Sequence, residues 1–173
     1  MKALITGASS GMGRDMAKIL SQKGYDLILV ARDEKKLEEV KKQLKTETKI
    51  VVMDISKEEN CKKIYEENKD IDILINNAGF GDCGHFEETS LDKDIQMIHT
   101  NIIAYHILTK LYLKEMIKKD SGKILNVASI AGFMPGPLMT TYYSTKNYVV
   151  RFSESIREEL RRKKSKVQIS ILC

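Results

Sequence analysis

Thr6-Gly7-Ala8-Ser9-Ser10-Gly11-Met12-Gly13 is the stretch that decides how the rest of the chain is read. It follows a short apolar run, Lys2 to Thr6, and opens a stretch of helical periodicity. Glycines at such a junction allow a tight turn and a close backbone approach, and the free N–H groups of the helix start then face an anion. A pyrophosphate is the natural occupant. The spacing is neither the G-x-G-x-x-G dinucleotide fingerprint nor the G-x-x-x-x-G-K-S/T phosphate loop. A Gly-rich strand-to-helix turn without a ligand is the competing reading, and only the surrounding sequence separates the two.

Outward from that turn, short apolar runs alternate with amphipathic stretches. The expected strands are Lys2-Thr6, Asp26-Ala31, Lys49-Asp54, Asp72-Asn76, Lys123-Val127 and Lys166-Leu172. They are rich in Ile, Val and Leu, and several lack a polar face, as strands buried on both sides of a parallel sheet do. The expected helices are Gly13-Lys23 with Gly24 as its stop, Glu34-Thr46, Lys57-Asn68, Leu91-Lys119 and Tyr142-Lys163. Leu91-Lys119 is too long for one simple helix, so a break near His99-Asn101 should divide it into a short helix and a long one. Alternation of this kind is the pattern of an α/β fold, a Rossmann-like doubly wound parallel sheet flanked by helices. The 173 residues are enough for one core, and no repeat or linker divides them, so a single domain over residues 1–173 is expected.

Composition narrows the class further. With 42% hydrophobic and 31% charged residues, the chain reads as a soluble globular domain rather than a disordered chain or a coiled coil. Its longest apolar runs, such as Leu27 to Ala31 and Ile71 to Ile75, are strand-sized, so no membrane partner is expected. Lys and Arg number 29 against 24 Asp and Glu, a net charge of +5 spread among acidic neighbours. That is a solvated mixed-charge surface, not a nucleic-acid stripe. The start MKALITGASSG has no long apolar segment, so a signal peptide is not expected, and a cytoplasmic location is. Cys61, Cys83 and Cys173 suggest no disulfide framework, and with His85, His99 and His106 they lack the spacing of a metal site. Cys83 and His85 follow Asn76-Gly79, near the expected substrate region, where surface or packing roles are expected for both.

The ends of the next strands bear on the ligand. A carboxylate after the second strand would accept hydrogen bonds from an adenosine ribose, but this chain has Ala31-Arg32-Asp33 there. The Arg32 fork matches the oxygens of a 2′-phosphate, which favours NADPH over NADH. Asp33 reads either as a ribose carboxylate or as the N-cap of the helix from Glu34. Arg14 is a second candidate for phosphate contact. Asp54 can accept an adenine amino hydrogen or cap the turn toward Lys57. Asn76-Asn77-Ala78-Gly79 ends the fourth strand, where Asn side chains can fix the turn or touch a cofactor and Ala78-Gly79 allow close approach.

A second constellation carries chemistry. Tyr142 and Lys146 stand four apart at the start of a helical stretch and so share a face. A phenol beside an ammonium is favoured as phenolate and can pass a proton to or from a carbonyl or alcohol oxygen. Ser129 follows the fifth strand and can steady the same oxygen. Asn101, at the suspected break, can link Lys146 to solvent through its side chain or a backbone-held water. Tyr143 is an unsuitable proton donor, because its four-residue partner is Asn147.

Taken together and in order, Thr6-Gly13, Asn76-Gly79, Asn101, Ser129 and Tyr142-x-x-x-Lys146 resemble the short-chain dehydrogenase/reductase family over essentially the whole chain. The resemblance implies an NAD(P)-binding domain with Gly7, Ser9, Ser10, Gly11, Met12, Gly13, Arg32, Asp54, Asn77, Ala78 and Gly79 at the cofactor, NADP preferred and NAD the alternative. It implies Tyr142 as acid/base, Ser129 orienting the carbonyl, Lys146 binding the nicotinamide ribose and favouring the phenolate, and Asn101 supporting the relay. The substrate would be a small carbonyl or alcohol: a 3-oxoacyl thioester, a steroid-like ketone, a sugar or a small ketone. No metal is needed. The alternative is a nucleotide-binding regulatory or scaffold protein of the same fold with little turnover. Family members continue past the sixth strand with a Pro-Gly segment, a substrate-loop helix and a seventh strand. This sequence stops at Ile171-Leu172-Cys173, so a domain incomplete at its C-terminus is expected. Ile103, Ile107 and Leu111 on one long helix and Val149, Phe152 and Ile156 on the other exceed what a solvent face needs, and a homodimer or homotetramer is expected.

Overall fold

Apolar side chains alternate between the two faces of the inner strands, and each face has its own helices. The computed structural model describes residues 1–173. In chain order the elements are β1 (Lys2–Thr6), α1 (Gly11–Gln22), β2 (Asp26–Ala31), α2 (Glu34–Lys41), β3 (Thr48–Val52) and α3 (Glu58–Glu67). They continue with β4 (Ile73–Asn76), α4 (Leu91–Ile98), α5 (Ala104–Lys119), β5 (Lys123–Val127), α6 (Thr140–Arg162) and β6 (Gln168–Leu172). All strand pairings are parallel, in the order β3-β2-β1-β4-β5-β6. The chain builds outward from β1 to β3, then outward the other way from β4 to β6. Its reversal point lies between β1 and β4, where connections leave in opposite directions and open a crevice beyond the strand ends. The doubly wound parallel sheet expected from the sequence is the fold observed.

Ala3, Ile5, Leu27, Leu29 and Ile75 pack beneath Ala17 of α1 and Leu37 and Val40 of α2. On the opposite face, Leu4, Ile28, Leu74 and Ile124 meet Ile64 of α3, Leu108, Tyr112 and Met116 of α5, and Leu160 of α6. This two-sided burial is why the strands lack a polar face.

Several boundaries differ from the sequence reading, for local reasons. The long helical stretch does not break. A π-helical turn at His99–Ile103 joins α4 to α5, and Asn101 lies there, fully buried, on the stripe of Met97, Ala104, Tyr105 and Leu108. α2 stops short of Thr46 because Ser21 of α1 captures the backbone that follows. Its Oγ accepts N–H bonds from Lys45 at 2.8 Å and Thr46 at 3.3 Å. A 3-10 turn at Ile130–Phe133, absent from the sequence reading, lies between β5 and α6, and α6 begins two residues before Tyr142.

A polar seam pins α5 and α6 to the sheet. Asn76 and Asn126 are neighbours in register, and Asn76 Nδ2 donates to Asn126 Oδ1 at 2.9 Å and to Thr109 Oγ1 at 3.0 Å. Asn126 Nδ2 donates to Ser153 Oγ at 2.9 Å, and Ser153 passes its only proton to the Val149 carbonyl at 2.7 Å. Asn76 thus serves the core, while its neighbour Asn77 faces the crevice. Ser153→Ala leaves a buried Asn126 N–H without a partner and should cost about 1–3 kcal/mol. Urea denaturation should show a lower midpoint for Ser153→Ala and a near-normal one for Ser153→Thr; an unchanged midpoint in the alanine variant would refute the seam's contribution.

Candidate active site

The crevice is built on an interlock between the ends of β1 and β4. Thr6 is fully buried, and its Oγ1 accepts from the N–H groups of Asn77 at 3.0 Å and Ala78 at 3.1 Å while donating to the Ile75 carbonyl at 3.4 Å. Asn77 Nδ2 reaches back to the carbonyls of Thr6 at 3.0 Å and Gly7 at 3.2 Å. The two turns are thereby one unit. Gly7 has φ +65°, and a Cβ there would stand 2.7 Å from Ala78 Cα. A Cβ at Gly13 would collide with the Gly7 carbonyl oxygen, so α1 starts directly against the turn. A Cβ at Gly11 would meet nothing within 4 Å. Ser10 caps α1 without a side-chain hydrogen bond, which leaves the first N–H groups of that helix to a ligand.

A cavity of about 520 Å³ lies over this cradle, walled by Gly7, Ser9, Ser10 and Met12 from the first turn and Asn77, Ala78 and Gly79 from the fourth. Arg32 and Asp54 line its far end. Arg32 is exposed and makes no ion pair. Asp33 is committed as the N-cap of α2. Its Oδ1 takes the Lys36 N–H at 3.0 Å and its Oδ2 lies 3.4 Å from the Lys36 ammonium. These contacts, the backbone bond foremost, hold its carboxyl below the ordinary range. Asp54 Oδ1 accepts from the Ser56 N–H at 2.9 Å, a turn contact rather than a cap on α3. Arg14 is turned aside, paired with Asp15 at 3.0 Å, and does not line the cavity.

A second cavity of about 560 Å³ shares Met12, Asn77, Gly79 and Phe80 with the first, and Tyr142 and Lys146 stand on its wall. Lys146 is 4% exposed; burial pushes its ammonium down from 10.5 to about 8. Its Nζ donates to the Val127 carbonyl at 3.0 Å and lies 5.8 Å from the centre of the Tyr142 ring. Tyr143 points elsewhere: its ring packs on Gly136 and does not line the cavity. Ser129 follows Ala128, which is on the wall, and its Oγ accepts from the Ala131 N–H at 3.1 Å; its own proton has no protein acceptor. Asn101 makes no hydrogen bond to Lys146. Its amide is engaged by Phe80 and Thr145 instead.

Sequence reasoning missed the roles of Thr6, Phe80 and Thr145, and the places of Lys36 and Met139 on the cavity walls. Cys83 also lines the second cavity, at its exposed side. Thr6 and Thr145 carried a usable signal, since each is a hydroxyl on an otherwise inward-facing apolar register. Phe80 acts through its backbone and carried none.

A Gly-rich cradle at the switch point of a doubly wound sheet, with a Tyr–Lys pair in the adjoining cavity, defines the architecture of an NAD(P)-dependent oxidoreductase. The chain belongs to the short chain dehydrogenase family, whose profile matches residues 1–173. It is 34% identical over 169 residues to an uncharacterized oxidoreductase of Staphylococcus epidermidis, covering 95% of this chain and 74% of that one. It is also 34% identical over 177 residues to the human very-long-chain 3-oxoacyl-CoA reductase, covering 93% of this chain and 55% of that protein. The chain thus spans about half the length of that reductase. Among solved structures, a short-chain dehydrogenase from Sphingobium yanoikuyae in complex with NADPH matches with a TM-score of 0.89 at 29% identity, over 98% of this chain and 69% of that one. A short chain dehydrogenase/reductase from Burkholderia phymatum in complex with NAD gives a TM-score of 0.93 at 29% identity, over 99% and 64%.

The depressed Lys146 value has a thermodynamic consequence. Between pH of about 8 and 10.5 the unfolded chain binds a proton at this lysine that the folded chain has lost. Stability from this group therefore rises with pH across that window, and the full burial penalty is present below it. The slope of urea midpoint against pH from about 8 to 10.5 should be less positive in Lys146→Met than in the wild type. Identical slopes would show that the lysine titrates normally.

Proposed function

We propose that this protein is an NADPH-preferring oxidoreductase that moves a hydride between nicotinamide and a carbonyl or alcohol substrate, with Tyr142 as the acid/base. The observation that carries this reading is the buried Lys146 ammonium, 5.8 Å from the centre of the Tyr142 ring, on a cavity that shares Met12, Asn77, Gly79 and Phe80 with the one over the Gly-rich cradle. The residues present fit a dinucleotide. Gly7, Ser9, Ser10, Gly11, Met12 and Gly13 offer backbone N–H groups to the pyrophosphate, and Asn77, Ala78 and Gly79 form the facing wall. Asp54 takes the adenine end and Lys146 the nicotinamide ribose. Arg32 is unpaired on the cavity wall, and with Asp33 spent on its helix cap a 2′-phosphate is favoured there over a bare ribose. NAD, held by the Burkholderia relative, is the alternative cofactor.

Bound in this groove, the nicotinamide supplies or accepts the hydride. In the reducing direction the Tyr142 phenol gives its proton to the carbonyl oxygen as that oxygen gains charge. The Ser129 hydroxyl donates to the same oxygen. Lys146 stabilises the phenolate left behind, and, with the Asn101 amide committed to Phe80 and Thr145, a water held by the backbone at Asn101 would serve the route by which the phenol is reprotonated. Very-long-chain 3-oxoacyl thioesters, the substrates named for the human relative, fall within the proposed carbonyl class.

The proposal extends to assembly and location. Val149 is buried and Ile107 and Ile156 pack on the core, which leaves Ile103, Leu111 and Phe152 half-buried, with Ile117 exposed further along α5. A homodimer or homotetramer would cover them. Three free thiols, two of them exposed, suit the reducing cytoplasm. No helix is long and apolar enough to cross a membrane. Tyr142→Phe should slow NADPH-dependent carbonyl reduction by about a hundredfold or more with cofactor affinity nearly unchanged, while Tyr143→Phe keeps substantial activity. Steady-state kinetics showing the opposite pattern would overturn the assignment.

A further inference from the structure

Asn101 has no exposure to solvent, and its amide is satisfied by two other elements. Its Oδ1 accepts from the Phe80 N–H at 3.2 Å, and its Nδ2 donates to the Phe80 carbonyl at 2.9 Å. One side chain thus grips both polar groups of one residue, as a neighbouring strand would. The Asn101 amide also donates to Thr145 Oγ1 at 3.1 Å. Thr145 is 1% exposed, and its hydroxyl gives its only proton to the Tyr142 carbonyl at 2.7 Å. The donor order is therefore forced. A flipped Asn101 amide would set N–H against N–H at Phe80 and carbonyl oxygen against a hydroxyl with no proton left. Phe80 lies on the walls of both cavities and Tyr142 on the wall of the second. The bonded chain runs from the loop after β4, through the π turn, to the first turn of α6.

We infer that Thr145 is a positioning residue whose hydroxyl, acting through Asn101, sets the Phe80 wall and the Tyr142 phenol in one register. The inference rests on the proposed reading of the site. Apolar packing lets a loop slide by fractions of an ångström, whereas a buried chain of directional bonds does not. Without the hydroxyl, an Asn101 N–H is buried and unpaired, and the amide can recover a partner only by loosening its grip on Phe80. Misplacement on the order of 1 Å beside a reacting centre costs rate rather than substrate affinity.

Thr145→Val removes the hydroxyl at nearly constant volume, Thr145→Ala removes it without crowding should the valine variant fail to fold, and Thr145→Ser keeps it. Two readouts are measured: kcat and KM for NADPH-dependent carbonyl reduction, and hydrogen exchange at the Phe80 amide without substrate. The valine or alanine variant should lose about tenfold or more in kcat with little change in KM, and Phe80 exchange should quicken by about tenfold. Serine should restore both. Wild-type kcat and exchange in the variants lacking the hydroxyl would overturn the proposal, as would a serine variant that behaves like valine. Slowed turnover with unchanged Phe80 exchange would also overturn it. Full turnover in Tyr142→Phe would instead overturn the reading of the site, while Phe80 exchange still reports on the clamp.

Discussion

The side chains of Thr6 and Asn77 hold the ends of β1 and β4 as one rigid unit, and the rest of the site is measured from it. Thr6 takes two backbone N–H groups of the fourth turn, and Asn77 returns two bonds to carbonyls of the first. These strands diverge in topology at this point, one leading toward β2 and the other toward β5. Without the interlock, the switch point would be two independent loops over a gap. With it, Gly7 and Gly13 can approach so closely that neither tolerates a Cβ, and the N-terminus of α1 is aimed at the crevice.

The chemical half of the site depends on α6, whose placement rests on two polar seams. One links Asn76, Asn126 and Ser153 through the core, and the other links Phe80, Asn101 and Thr145 beside the cavity. A helix with a mostly apolar inner face can rotate or slide at small cost, but buried polar pairs allow one register. That register puts Lys146 under the Val127 carbonyl and Tyr142 on the cavity wall. A buried ammonium is costly, and its value near 8 records that cost. Gly79 and Gly81 supply the close approach on the other side. A Cβ at Gly81 would stand 3.0 Å from the Tyr142 ring, and one at Gly79 3.0 Å from Asn101 Oδ1.

The strands and most helices were legible because burial on both faces of a sheet and on one face of a helix leaves a periodic record in the residues themselves. The placement of Lys146 near Tyr142 followed from four-residue spacing, and Arg32 and Asp54 from their positions at strand ends. What was not legible was pairing between distant elements. Nothing in the sequence joins Thr6 to Asn77 or Asn101 to Thr145, because those bonds exist only once the sheet has set the elements side by side. The break expected at His99-Asn101 came from the length of Leu91-Lys119; a π turn there carries the helix through, and the partners that hold Asn101 in it, Phe80 and Thr145, come together only in the fold. The ambiguity at Asp33 was also tertiary in part, since a cap and a ribose ligand require the same carboxylate at the same strand end.

In the proposed function, the unit built on Thr6 and Asn77 is a dinucleotide cradle whose outer end selects phosphate through Arg32. Equilibrium titration of NADPH and, in parallel, NADH into the protein tests it most directly. Saturable binding of NADPH, tighter than NADH by about tenfold or more, a gap of about 1.4 kcal/mol that closes in Arg32→Ala, is the predicted result. No saturable binding of either nucleotide, or equal affinities that Arg32→Ala leaves unchanged, would contradict it.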